Sequence, residues 1–278
     1  MNAANAEWNL LYAEQEKITG YKSSAERFSE KENADSMLAS LLCGTMKRSA
    51  DQLAALNFPA GSTVLDIGAG PGTLAVPLAG RGCRVTVVEP SQAMNNAMKE
   101  YACHCGVTAE IPVIPDVWEH LDSRDIGTYD YVLSSFAMAV PDLSSALKKM
   151  HAAAKKQVHI FWFLTPSPWS KVMADLWSTM HPGETYRWRY ADLVWNALYQ
   201  LGICANLTVH PLRDCACYPE PDDAVCDYQK RLCIAEDAQI SLLRAYLERR
   251  LVPAEGGFTL PDTGTYAHIW WDTEEADG

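Results

Sequence analysis

The stretch Thr63-Val64-Leu65-Asp66-Ile67-Gly68-Ala69-Gly70-Pro71-Gly72-Thr73 decides the fold. Its apolar run followed by three glycines at alternate positions predicts a buried strand, a tight turn and a helix that begins near Thr73. Glycines tolerate positive φ and leave the backbone bare, and the first N–H groups of a helix favour negative charge or lone pairs. The loop at residues 68–72 is therefore predicted to hold a nucleotide-like ligand against the main chain.

The glycine spacing differs from the dinucleotide fingerprint, which places Gly-x-Gly-x-x-Gly after the first strand. The third glycine, Gly72, comes one residue early, and Thr73 stands where the fingerprint needs glycine. A second acid, Glu89, closes the next apolar run, residues 84–88, and lies 21 positions after Gly68. A carboxylate at the end of the second strand is placed to hold a ribose with free hydroxyls.

Residues 66–72 and Glu89 resemble the glycine-rich first loop and the acid after the second strand of class I S-adenosylmethionine-dependent methyltransferases. The resemblance covers residues 60–165, and the rest of the chain only in outline. It implies a seven-stranded, mostly parallel, doubly wound α/β sheet of the Rossmann-like type. It also implies S-adenosyl-L-methionine as cofactor and S-adenosyl-L-homocysteine as product. The alternative is an α/β turn that holds no ligand.

The resemblance further implies a set of cofactor-binding residues. Glu89 would accept hydrogen bonds from both ribose hydroxyls, Asp116 would bind the adenine amino group, and the N–H of Val117 would bind a ring nitrogen. Asp66 would orient the loop or a water molecule, or else be a buried structural acid. The full set is Asp66, Gly68, Ala69, Gly70, Gly72, Glu89, Pro90, Met94, Asp116, Val117, Trp118, Ser134 and Tyr21. Within it, Trp118 or Met94 would flank the purine and Tyr21 would close on the methionine end, with core packing as the alternative for Trp118 and Tyr21.

Composition and charge narrow the class of protein. The 278 residues are 48% hydrophobic and carry a net charge of −12, which argues against a nucleic-acid backbone as partner. The cluster Arg187-Trp188-Arg189 is basic and aromatic, and a solvated face or a lid contact is favoured over RNA stacking. No apolar run approaches the ~18 residues of a membrane span. We expect a cytoplasmic protein, monomeric or homodimeric, with a small-molecule substrate and no membrane partner.

The nine cysteines fit a reducing compartment better than a disulfide framework. The pairs Cys103-His104-Cys105 and Cys215-Ala216-Cys217 have too short a gap for a typical zinc site. We therefore predict no metal.

The chain divides into an N-terminal helical lid, residues 1–58, and a core, residues 59–278, with cap inserts at 166–192 and 212–260. The inserts are longer than a simple βαβ alternation needs, and long connections usually carry function. Helical periodicity runs over residues 222–251 within the second insert. Predicted core strands are 63–67, 84–88, 109–114, 129–134 and 157–164, followed by an antiparallel pair at 205–210 and 265–271; predicted helices are 73–81, 91–105 and 142–155.

Methyl transfer requires mainly that the nucleophile be held in line with the methyl group and that water be excluded. The candidate bases are His181 and His159, with a packed core histidine as the alternative for His159; Tyr186 and Trp169 are candidate walls of the acceptor pocket. The fourth strand ends in Leu133-Ser134-Ser135-Phe136, unlike the Asn/Asp-Pro-Pro-Tyr/Phe pattern of enzymes that methylate adenine or glutamine. The sequence predicts a small-molecule methyltransferase whose acceptor atom (O, N, S or C) stays open. A non-catalytic sensor or partner subunit that binds the cofactor is the alternative, and the glycine spacing disfavours a nicotinamide oxidoreductase.

Overall fold

The computed structural model describes residues 2–213, 217–261 and 264–273, and places a seven-stranded sheet at their centre. The strands of the chain are β1 (Thr63–Ile67), β2 (Arg84–Val88), β3 (Val113–Ile114), β4 (Tyr129–Ser135), β5 (Ala154–Phe163), β6 (Asn206–Pro211), β7 (Cys217–Tyr218), β8 (Val252–Ala254), β9 (Gly257–Thr259) and β10 (Thr265–Asp272). The large sheet has the order β3-β2-β1-β4-β5-β10-β6, in which only β10 runs antiparallel to its neighbours. The expected seven-stranded, mostly parallel sheet is confirmed.

The helices of the chain flank this sheet and build the two ends of the molecule. They are α1 (Ala3–Gln15), α2 (Ser24–Ser29), α3 (Lys31–Leu42), α4 (Arg48–Ala55), α5 (Ala75–Gly80), α6 (Gln92–His104), α7 (Ser123–Ile126), α8 (Leu143–Ala153), α9 (Pro168–Met180), α10 (Ala191–Gln200), α11 (Pro221–Leu232) and α12 (Asp237–Glu248).

The central strand β1 is buried on both faces. Leu65 and Ile67 contribute to the apolar cluster beneath α8 and α10, whereas Val64 contributes to the cluster on the opposite face, which contains α5 residues. A strand covered on both sides reads as a continuous apolar run rather than an alternating one. Strand order reverses at β1, since β2 lies on one side and β4 on the other, and ligands of such sheets bind at this switch point.

Two sequence predictions need correction. The third strand is Val113–Ile114 rather than residues 109–114, and the proline before it, Pro112, has no N–H to donate to a sheet. The periodicity at 222–251 forms two helices, because Cys233 ends α11 in the left-handed conformation with φ 54°.

The second insert and α9 build one apolar cluster apart from those of the sheet. It contains Leu176, Trp177, Tyr228, Leu243 and Leu260, among others, and lies beside the small sheet β7-β9-β8. We call residues 168–180 and 217–260 the cap.

The described residues include no helix long and apolar enough to cross a membrane. Within the same residues, no three His, Cys, Asp or Glu side chains come together as a metal site. Eight cysteines within residues 2–213 and 217–261 have free thiols. Cys215, part of the second Cys-x-Cys pair, lies outside the described residues.

Candidate active site

The loop after β1 holds three glycines at positive φ, and they differ in what surrounds them. A Cβ on Gly68 would lie 2.3 Å from the Ala137 Cβ, and one on Gly72 would lie 2.6 Å from the Met98 Cγ. A Cβ on Gly70 would meet only the Met37 Cε, at 3.9 Å. Packing therefore requires glycine at positions 68 and 72, whereas Gly70 leaves bare backbone beside open space, which is what a ligand that lies on the main chain needs.

Glu89, at the carboxyl end of β2, organises this loop. Its Oε2 accepts a hydrogen bond from the Gly70 N–H at 2.8 Å, and its Oε1 accepts one from the Ser91 N–H at 2.9 Å. Burial raises the pKa of the carboxyl group, and these two N–H donors oppose that shift. Each carboxylate oxygen has a second lone pair, so the group can still accept hydrogen bonds from a pair of hydroxyls.

Asp66 lies within β1 and is 2% exposed. Its Oδ1 has no hydrogen-bond partner in the described structure, and burial together with the nearby Glu89 raises its pKa to about 8. At pH 7 the folded protein therefore holds Asp66 mainly as the neutral acid. Two buried carboxyl groups with raised pKa values thus lie behind the glycine loop.

The remaining residues predicted to surround an adenine ring are not all brought together. Asp116 and Val117 bind each other, since the Val117 N–H donates to Asp116 Oδ1 at 2.8 Å. Trp118 packs in the core on α8, where its Nε1 donates to the Ala146 carbonyl at 3.4 Å. Met94 is buried against α3. Of this group, the Asp116–Val117 turn is the part left half-exposed at the carboxyl end of β3.

The carboxyl end of β4 closes the other side of the loop. Ser134 is fully buried, and its Oγ donates to the Ile67 carbonyl at 3.3 Å. Two residues on, Phe136 has φ 55°, an uncommon conformation for a non-glycine residue that is found at functional sites. This turn brings Ala137 against Gly68.

The N-terminal helices pack against the segment that follows Glu89. The Ser91 Oγ donates to the Phe28 carbonyl at 2.7 Å, and α3 packs along α6. Pro90 is exposed beside this contact, and Ala69 is buried in the core beneath the loop. Tyr21, in the segment between α1 and α2, is hydrogen-bonded to Tyr12.

Aromatic rings continue from the end of β4 into the cap and form what we call the aromatic wall: Phe136, Phe163, Trp169, Trp188, Tyr186 and Trp177. The rings of Phe136 and Phe163 are 4.6 Å apart, and Trp169 meets Trp188 edge-on at 5.5 Å. Trp169 and Tyr186, the two candidate pocket walls in the sequence, both belong to it. The wall begins at the turn that contacts the glycine loop.

The two candidate bases have different surroundings. His181 follows α9, and its Nε2 donates to the Leu232 carbonyl at 2.7 Å, while its ring lies 4.6 Å from the Trp177 ring at a tilt of 36°. His159 is buried within β5. Its Nδ1 lies 3.0 Å from His268 Nε2, and its Nε2 lies 3.2 Å from Gln157 Oε1. Burial and the neighbouring His268 lower the pKa of His159 to about 3, so it stays neutral with both nitrogens engaged, as a packed core histidine does.

Sequence reasoning missed two residues of this region. Arg189 was part of a basic cluster expected on a solvated face or at a lid contact, but its side chain is 3% exposed among aromatic rings. Glu184 accepts hydrogen bonds from the N–H and Oγ1 of Thr19, at 2.9 and 2.6 Å, and from Trp177 Nε1, at 3.1 Å. Their signal in sequence was weak, since each is a single charged residue whose partners are distant in the chain.

Comparison with known proteins agrees with this geometry. Residues 64–157, which include β1, β2, the glycine loop and Glu89, match the family model described as a methyltransferase domain. Residues 64–157 therefore form a methyltransferase domain of the S-adenosylmethionine-dependent type. The methyltransferase is also 28% identical, over 229 residues and 80% of each chain, to a Haemophilus influenzae protein described as uncharacterized.

Solved structures share the fold of the methyltransferase. A cyclopropane-fatty-acyl-phospholipid synthase-like protein from Lactobacillus casei aligns over 98% of this chain and 100% of its own, at 14% identity and a TM-score of 0.55. A putative methyltransferase from an antibiotic biosynthesis pathway of Anabaena variabilis aligns over 81% of this chain and 96% of its own, at 18% identity and a TM-score of 0.52. At these identities the likeness concerns the fold.

The residues of the site fit S-adenosylmethionine, the cofactor of this family. Gly70 offers bare backbone beside open space, Glu89 offers two acceptor oxygens at the ribose position, and Asp66 has an unpartnered buried oxygen behind them. These three features suit a neutral sugar with free hydroxyls, because carboxyl oxygens accept the hydrogen bonds that hydroxyls donate.

Proposed function

We propose that the methyltransferase transfers the methyl group of S-adenosylmethionine to a small molecule with a planar or apolar body. The observation that supports this most is the aromatic wall, which begins at Phe136, next to the turn that touches Gly68, and runs into the cap. Flat rings provide a large contact area for such a body at little cost in conformational entropy. Donor and acceptor would then meet at the carboxyl ends of β1, β4 and β5.

We propose that residues of this chain bind and orient the cofactor and the acceptor and exclude water from them. Proton transfer then contributes little to catalysis. The residues that would hold the cofactor are Gly68, Gly70 and Glu89, with Asp116, Val117 and Ser134 further out and Tyr21 at the edge. When bound, the cofactor supplies an electrophilic methyl group on its sulfonium. Of the two candidate bases, His181 is the one whose lone pair is available. Its Nε2–H forms the hydrogen bond to the Leu232 carbonyl, which leaves the lone pair on Nδ1.

We propose that residues 1–58 act as a lid and that the cap selects the acceptor. The contact between Ser91 and Phe28 and the bonds of Thr19 to Glu184 support this division, since one N-terminal segment touches both halves of the site. The eight free cysteines among the described residues support a cytoplasmic setting.

Two measurements test the proposal. Calorimetric titration with S-adenosylhomocysteine should give saturable binding to the wild-type protein, and Glu89→Ala should weaken it by ~1–3 kcal/mol as hydrogen bonds to a charged group are lost. Transfer of labelled methyl groups to a metabolite extract should then give a labelled small molecule. If S-adenosylhomocysteine binds and no extract from any source is labelled, the chain is a sensor or partner subunit rather than an enzyme.

A further inference from the structure

Arg189 is a buried cation without an anion. Its guanidinium lies 4.8 Å from the Tyr12 ring centroid, 5.3 Å from that of Trp8 and 5.8 Å from that of Trp188. Nε and Nη1 are both buried and have no hydrogen-bond partner. Across the described ranges, no carboxylate forms an ion pair with it, and the exposed Glu16 acts on it only from a distance.

Such a group is costly to keep. Removing a guanidinium from water without a counter-ion is unfavourable, and cation–π contacts offset part of that cost but satisfy no N–H. The Arg189 carbonyl, in contrast, is well used, because it accepts a hydrogen bond from Trp162 Nε1 at 2.8 Å. This hydrogen bond fixes the Arg189 backbone beside β5, whereas Nε and Nη1 of its side chain have no hydrogen-bond partner.

Other groups around Arg189 are also suited to an anion. Tyr12 and Tyr21 carry hydroxyls that act on Arg189 through space, and because the two are hydrogen-bonded to each other, one hydroxyl of the pair keeps a proton to donate. The Tyr186 hydroxyl lies within electrostatic reach of Arg27 and Arg231 as well as Arg189. In a chain of net charge −12, this is a local concentration of positive charge. Arg231 is paired with Asp227, at 2.9 Å, so Arg189 is the buried member left to bind a ligand.

The position of Arg189 points to the acceptor rather than to the cofactor. It directly follows Trp188, which meets Phe163 at 6.3 Å, and Phe163 in turn meets Phe136 at the end of β4. A cleft of about 320 Å³ opens along the same segment. Trp188, Tyr190 and Leu11 of α1 line it together with the charged residues Glu7, Arg187 and Asp192, whereas Arg189 itself is not part of its lining.

We propose that the methyl acceptor carries a carboxylate on a planar body, and that Arg189, with one hydroxyl of the Tyr12–Tyr21 pair, binds that carboxylate while the aromatic wall holds the body. This inference rests on the proposed function, because it names the acceptor class of the same site. Guanidinium and carboxylate match in a bidentate geometry, which fixes the acceptor in one orientation toward the methyl donor.

The test uses the full chain saturated with S-adenosylhomocysteine, and benzoate as the probe. The Arg189 Nε–H resonance, assigned by its disappearance in Arg189→Met, should shift on addition of benzoate. Benzamide, which has the same shape without the charge, should bind at least tenfold more weakly, and phenyl phosphate should bind more weakly than benzoate. Arg189→Met should abolish the preference for benzoate over benzamide, and Arg189→Lys should retain part of it.

The outcomes separate this inference from its alternatives. No shift with benzoate, equal binding of benzoate and benzamide, or an unchanged preference in Arg189→Met would overturn it, the last by showing that Arg189 only ties α1 to its neighbours. Tighter binding of phenyl phosphate than of benzoate would overturn the assignment of a carboxylate and indicate an acceptor that carries a phosphate. If Arg189→Met does not fold, the wild-type titrations and Arg189→Lys still decide. Binding of S-adenosylhomocysteine itself should stay within twofold in both variants, and its absence from the wild type would refute the proposed function instead.

Discussion

Gly70→Ala separates the ligand-binding glycine from the packing glycines. The added Cβ has room in the protein, since its nearest neighbour is the Met37 Cε at 3.9 Å, but the residue must keep φ near 56°. That conformation costs a non-glycine residue about 1–2 kcal/mol, which lowers the Tm of a chain of this size by about 2–8 °C. The protein should therefore fold.

The affinity for the cofactor should fall far more than the stability of the protein. The Cβ would stand where we place the ligand, and a displacement that breaks one or two hydrogen bonds weakens binding by about 10- to 100-fold. The assay is calorimetric titration with S-adenosylhomocysteine beside thermal unfolding of the same samples.

Gly106→Ala is the matched control. Gly106 has φ 67° and nothing within 4 Å of a Cβ, and it follows the C-terminal end of α6, so it carries the same backbone strain away from the glycine loop. It should lose similar stability and keep its affinity for S-adenosylhomocysteine within twofold. Equal affinities for Gly70→Ala and wild type, or equal losses in both variants, would refute the assignment of Gly70.

Three further predictions concern charged and titratable groups. The pKa of Asp66 is about 8 in the folded protein and near 4 in the unfolded chain. Between these values Asp66 loses its proton on unfolding, so the free energy of unfolding falls by about 1.4 kcal/mol for each unit that the pH rises from 4 to 8. Asp66→Asn should remove this slope in urea unfolding, and parallel curves would contradict the buried neutral acid. His159 and His268 have folded pKa values lowered by burial to about 3 and about 4, so their contribution to stability is lost as the pH falls from about 6.5. His268→Gln should make that acid loss shallower in the same unfolding assay, whereas an unchanged slope would speak against a neutral pair. Glu184→Gln should weaken three hydrogen bonds and increase amide hydrogen exchange around Thr19, while unchanged exchange would mean that Glu184 does not hold the lid.

The cofactor half of the fold could be predicted from sequence because its signals are local. The strand, glycine loop and acid at Glu89 lie within one short stretch, and each has a direct physical reason. Even there, sequence could not show that Gly68 and Gly72 are explained by contacts with Ala137 and Met98 while Gly70 is not.

The acceptor half could not be predicted, because its signals depend on contacts between distant segments. The boundary inside 222–251 lies at Cys233, a residue that seldom adopts positive φ, so no glycine marked it. Trp118 is equally apolar as a purine contact and as core, and only the structure places it under α8. The burial of Arg189 depends on α1, about 180 positions earlier in the chain.

The separate apolar cluster of the cap has a consequence for how such an enzyme changes. Its side chains, such as Leu176, Tyr228 and Leu243, pack mainly on one another rather than on the sheet. If the cap selects the acceptor as proposed, a substitution there would alter the shape offered to the acceptor and leave the packing behind Glu89 and Gly70 intact. The cap should therefore open as its own cooperative unit in hydrogen exchange. Substitutions in the cap could then change the acceptor specificity during evolution while the methyl donor remains bound in the same way.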